Sequence, residues 1–124
     1  MTTFSDLVAS RRAWLADVLT PWCRVAARAD LIRAEQEWTD IAGKIAPERS
    51  LWLWAWSRFP ALYVEGLGGL EESWPVILVR RDGTALEGFP DNRASGRGQL
   101  VIQTATGATD PISIDDIVSV ERIA

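Results

Sequence analysis

Any chemistry in this chain must come from a short roster of side chains. Histidine is absent, and Cys23 is the single cysteine. Those facts remove His-dependent nucleophilic triads, His general bases, His-containing metal sites, intrachain disulfides and multi-cysteine metal centres. The adjacent acids Glu71-Glu72 and Asp115-Asp116 make poor acid/base pairs, because neighbouring side chains point in different directions; a loop and a turn cap suit them better. Gly66-x-Gly68-Gly69 has Glu71 where a dinucleotide fingerprint needs its third glycine. No P-loop and no nucleophile elbow occurs. Cys23, between Trp22 and Arg24, reads as a small buried apolar residue. The expectation is a chain with no catalytic residue, no cofactor and no metal site, and therefore not an enzyme.

Binding is the remaining chemistry, and two groups of residues offer it. Arg80 and Arg81 precede a turn, and Arg93 and Arg97 flank Ala94-Ser95-Gly96. Four guanidinium groups on one surface would make a nucleic-acid patch. Asp82, Glu87 and Asp91 lie close in sequence, and the net charge of the chain is −4, which argues against blanket binding to phosphate backbones. The second group is aromatic. The chain has seven tryptophans, a residue type that stacks on ligands and anchors interfaces. Trp14, Trp22 and Trp38 fall on helical apolar stripes and read as core. Trp52, Trp54 and Trp56 sit in the longest apolar run, Leu51 to Trp56, and are the candidate partner surface.

The elements that would carry these residues divide near residue 66. Glycine occurs once before it, at Gly43, and eight times from 66 to 107. Six of the seven tryptophans precede residue 73. Ala-rich, Gly-poor sequence favours helix, and β-branched, Gly-punctuated sequence favours strands and turns. Three regions follow: a helical Trp-rich region at 1–65, a linker at 66–74, and a β region at 75–124 that packs with the helices as one unit.

In the first region Phe4, Leu7, Val8, Trp14, Leu15, Val18 and Trp22 recur at helical spacing. Ser5 is placed to cap that helix. Thr20-Pro21 predicts a new helix start, and Leu31, Ala34, Trp38, Ile41 and Ile45 form its apolar seam, ending by Gly43 to Pro47. Residues 51–58 suit either a strand or a short buried helix, and the flanking Pro47 and Pro60 favour helix. In the β region Val76 to Arg81 and Thr84 to Phe89 flank Asp82-Gly83, a type I′ hairpin signal that needs positive φ at both turn positions. Leu100 to Ala105, the Ile112/Ile114 pair and Ile117 to Ile123 complete five short strands. The fold class is α+β: N-terminal helices packed on a C-terminal five-stranded antiparallel small barrel or bent sheet.

The segments ILVRRDGTALEGF, GQLVIQT and PISIDDIVSVERI resemble the Sm-like family of small β-barrels, with their DG-type first turn and an I-x-x-x-D-I step before the last strand. The resemblance covers residues 76–123 and implies five bent strands behind a helix. It also implies nucleic acid as a partner. However, Asn92 and Arg97-Gly98 lie in the middle loop, whereas the family's Arg-Gly pair lies near the last strand, so the resemblance speaks for fold more than for function.

The functional expectation is a non-catalytic interaction or regulatory module. Its partner is a protein or a second copy of itself, most simply as a homodimer; the alternative is an Sm-like nucleic-acid binder using the loop arginines. No apolar run approaches the ~20 residues that span a bilayer, and no secretory signal opens the sequence. With one unpaired cysteine, the expected location is the cytoplasm.

Overall fold

The computed structural model describes residues 13–37 and 50–123. The expected Ser5 cap, the seam residues Trp38, Ile41 and Ile45, and the Gly43 to Pro47 helix end lie outside the described residues. A π-turn over Leu15–Leu19 leads into helix α1, Thr20–Val25. Helix α2 spans Arg28–Gln36, and helix α3 spans Leu51–Trp56. A 3-10 turn, Pro60–Leu62, follows. The seven strands are β1 Val76–Arg80, β2 Ala85–Pro90, β3 Gln99–Leu100, β4 Ile102–Thr104, β5 Gly107–Ala108, β6 Ile112–Ser113 and β7 Ile117–Arg122.

An α-helix begins at Thr20-Pro21 as expected, but it runs on from the π segment without a break in the chain's helical path. Leu19, just before it, is already αR and gives no side-chain cap. Proline inside a helix removes an amide and crowds the carbonyl four residues back, here that of Asp17. The wider π register directly upstream gives the ring room. The break comes instead at Ala26 and Ala27, both extended with ψ of 146° and 154°. Two alanines carry no break signal of their own. The break is imposed from a distance: Arg58 Nη2 donates to the Cys23 and Ala26 carbonyls, and Asp115 Oδ1 accepts the Arg28 N–H, at 2.8, 2.8 and 2.9 Å.

Helix α3 is apolar nearly all round and is accordingly buried. Leu51, Trp52, Leu53, Ala55 and Trp56 are shielded from water. A single apolar cluster joins this helix to Leu19, Cys23 and Leu31 on one side and to Val76, Leu78, Leu100, Ile102, Ile114 and Val120 on the other. The connecting segment is fastened along its length. Leu70 is buried and donates its N–H to Asn92 Oδ1, and Glu71 N–H reaches the Leu62 carbonyl.

The main sheet is antiparallel in the order β5-β4-β2-β1-β7, and β3 pairs with β6 apart from it. It forms no closed barrel. The expected third strand is interrupted at Val101, whose N–H goes to Ser95 Oγ and whose carbonyl accepts from Asp91 N–H. Ile114 leaves the strand pattern too, because 114–116 form a 3-10 turn capped by Ser113. The bend needs a residue without a side chain at Gly88, where a Cβ would stand 2.2 Å from the Gln103 carbonyl oxygen.

The first hairpin keeps the expected strands, with Val76 opposite Gly88 and Val79 opposite Ala85. Its turn differs. Gly83 has φ +88°, but Asp82 is not in the positive-φ region. Gly83 N–H donates to the Arg80 carbonyl, and Arg80 N–H to the Thr84 carbonyl. The loop is therefore three residues long with a left-handed glycine at its end. Asp82 fixes that choice by accepting from the Thr84 N–H and hydroxyl.

Candidate functional site

The candidate partner surface is turned inward. Trp52 and Trp56 are each 3% exposed and Trp54 is half-buried. Six residues of short helix cannot offer three tryptophans to a partner while resting against helices and sheet at once, and burial wins because this segment has no polar face. Trp52 sits so close to the 97–98 turn that a Cβ at Gly98 would meet its ring at 2.8 Å. Trp52 Nε1 is buried with no hydrogen-bond partner, a cost carried by the packing of the ring around it.

The exposed aromatic surface lies on the preceding helical turns. The three-four spacing points Trp14 and Trp22 inward, yet they are 39% and 38% exposed, with Val18 at 52%. Leu19, Cys23 and Ala26 face the core instead. The small side chains of Cys23 and Ala26 let α1 approach α3 closely, which tryptophans at those positions would prevent. Trp14, Val18 and Trp22 border a cleft of about 510 Å³ with Leu19 and Ala34, rimmed by Asp30, Arg33 and Glu37. Arg33 and Asp30 form an exposed pair at 3.9 Å.

The four loop arginines are not gathered onto one site. Arg80 Nε donates to Thr84 Oγ1 at 2.7 Å and borders a cleft with Asp110 and Asp116. Arg81 borders a second cleft with Arg58 and Asp115. Arg97, in a left-handed conformation with φ +50°, borders a third with Trp52 and Asn92. It also lies 3.6 Å from Glu35 Oε1, and its carbonyl accepts from Arg28 Nε. Arg93 is exposed.

Sequence reasoning missed Arg58. Its Nε donates to the Ala55 carbonyl at 2.9 Å, and its Nη2 takes the two α1 carbonyls. One guanidinium thus closes the ends of α1 and α3, satisfying carbonyls that helix geometry leaves open. Burial lowers its pKa, and the negative charge of Asp115 works in the other direction. No spacing in the sequence ties residue 58 to residues 23, 26 and 115. Nearby, burial pushes the Cys23 thiol up to about 11, against the smaller opposing pull of Arg58. That thiol is inert at neutral pH.

Among the described residues, no group of histidine, cysteine or acidic side chains is placed to hold a metal ion, and no helix is long and apolar enough to cross a membrane. No protein-family model, no curated protein and no solved structure matches the chain.

Proposed function

We propose that this chain is a non-catalytic interaction module that pairs with a second copy of itself through the ridge of Trp14, Val18 and Trp22. The observation that carries this reading is the exposure of that ridge while the more apolar 51–56 helix is buried. A ridge of two tryptophans and a valine in water favours burial against a partner. Its rim carries both signs of charge: Asp30 and Glu37 beside Arg33. A two-fold axis through such a rim brings each arginine to the acids of the other copy, so the surface is self-complementary. A reducing cytoplasm suits the module, whose one thiol needs no partner.

Light scattering at tens of micromolar tests the proposal. The native chain should give a dimer mass, and Val18→Asp a monomer mass with unchanged far-ultraviolet circular dichroism. A native monomer mass, or a dimer that survives Val18→Asp, overturns it. The alternative, nucleic acid held by Arg80, Arg81, Arg93 and Arg97, would be favoured by a salt-dependent gel shift with single-stranded RNA. The separate clefts bordered by Arg80, Arg81 and Arg97 supply no common surface for it.

A further inference from the structure

The Arg58–Arg81 cleft has a charge balance that the fold does not use. It encloses about 350 Å³ beside the end of α1 and is bordered by Ala26, Ala27, Arg58, Arg81 and Asp115. Arg58 is held rigidly. Three of its five N–H groups go to the Ala55, Cys23 and Ala26 carbonyls. All three acceptors are neutral. Among the described residues, no carboxylate lies within ion-pair distance of its guanidinium, and its two Nη1 hydrogens have no partner. Arg81 is exposed, and its side chain makes no hydrogen bond or ion pair among the described residues; only its backbone N–H is engaged, by the Asp116 carbonyl at 2.8 Å.

One negative charge faces this pair. Asp115 is half-buried and spends Oδ1 on the Arg28 N–H. That cap also removes the α2 N-terminus from the balance, because its first amide is already satisfied. Two guanidinium groups against one carboxylate leave the cleft net positive. A half-buried cation bonded only to neutral carbonyls gains from a counter-anion more than an exposed one does.

We propose that the Arg58–Arg81 cleft binds a phosphate group. A carboxylate has two oxygens and fills one guanidinium fork. A phosphate has three or four and can take the Arg58 Nη1 edge and the Arg81 fork together. Arg58 supplies the fixed donor. Arg81, unencumbered at the surface, closes over the ligand. None of these residues belongs to the Trp14–Trp22 ridge, so the site stands or falls apart from dimer formation.

The test is calorimetric titration of the intact chain with inorganic phosphate and with glycerol phosphate, in buffers matched for ionic strength with chloride. Tighter binding of glycerol phosphate identifies a phosphate monoester as the ligand, and equal binding identifies the free ion; either supports the site. Arg81→Gln should melt like the native chain without phosphate and bind about tenfold more weakly, the loss of one charge-assisted contact. Asp115→Asn keeps an oxygen for the Arg28 N–H, removes the competing charge, and should bind severalfold more tightly. Heat no greater than the chloride blank, equal affinity in Arg81→Gln, or weaker binding in Asp115→Asn overturns the proposal.

Discussion

Replacing Gly88 with alanine should be the most damaging single-methyl change in the sheet. The new Cβ would lie 2.2 Å from the Gln103 carbonyl oxygen and 2.7 Å from Ile102 Cγ2. A carbon and a carbonyl oxygen normally approach no closer than about 3.3 Å, so β2 and β4 must part by roughly 1 Å. The oxygen is backbone and cannot swing aside. Phe89 pairs with Gln103 and Pro90 with Ile102 right at this point. Parting the strands weakens ladder bonds worth about 1 kcal/mol each. It also disturbs Ile102, which is fully buried, at an overpacking cost of about 1–3 kcal/mol. The lower chain entropy of alanine in the unfolded state returns about 0.5–1 kcal/mol. The net loss should be about 3 kcal/mol, a large share of the ~5–15 kcal/mol that holds a small domain together. Urea unfolding followed by tryptophan fluorescence should show the midpoint falling by roughly 1–2 M. Gly96→Ala is the control: nothing lies within 4 Å of its Cβ, and it should stay within about 0.5 kcal/mol of the native chain. A Gly88→Ala midpoint indistinguishable from that of Gly96→Ala would refute the strand-crossing argument.

Arg58→Ala strips the Cys23 and Ala26 carbonyls of the guanidinium donor, while Ala55 keeps the residue 58 backbone N–H, and should cost about 2 kcal/mol; Arg58→Lys should recover little of it, since an ammonium cannot reproduce the fork, and a lysine variant of native stability in urea would contradict this. Asp82, Asp91 and Glu71 are all held below the ordinary carboxylate range, chiefly by hydrogen bonds from Thr84, Gln103 and Ser73 respectively. A depressed folded pKa gives stability that is present above the unfolded pKa and lost as pH falls through the folded one. Urea midpoints should therefore hold level from neutral pH to about 5 and drop below about 4; a midpoint unchanged at pH 3 would rule the linkage out. Native Cys23, with its thiol raised to about 11, should alkylate with iodoacetamide at pH 8 a few hundredfold more slowly than in the unfolded chain, and rapid native labelling would show that the thiol is not shielded.

The legible parts of the sequence were those whose signals are local. The Gly and Trp asymmetry separated helices from strands, and Asp82-Gly83 located the first hairpin but not its register: a two-residue loop would set Val79 opposite Leu86, and the structure sets it opposite Ala85. The run at 51–56 was a helix because nothing in it is polar enough to face water. Signals failed where two local answers were equally good. Trp14-Val18-Trp22 and Leu19-Cys23-Ala26 both recur at helical spacing, and only the approach of α3 selects the second. Asp82-Gly83 allows a two- or a three-residue loop, and the Thr84 hydroxyl decides. The helix break at Ala26-Ala27 and the Arg58 cleft had no local signal at all, since they depend on residues 58 and 115. The arginines at 80, 81, 93 and 97 could be found by type, but that Arg80, Arg81 and Arg97 border three different clefts is a matter of tertiary placement.

The caps that cross the molecule constrain how this chain could be recombined with others. Composition marks residues 66–74 as a natural crossover point, yet the α2 amide at Arg28 is closed by Asp115, 87 residues away, and Glu35 lies beside Arg97. A hybrid joining these helices to an unrelated sheet at that point would retain Arg58 and lose Asp115. Its α2 would begin with an open amide, and a half-buried guanidinium would lose its nearest balancing charge. Shuffled libraries should therefore tolerate exchanges neither at this junction nor within the 91–98 loop, where Asn92, Ser95 and Arg97 are tied to Leu70, Val101 and Glu35. For this chain the unit of inheritance is the whole set of helices and strands, whatever the glycine count implies.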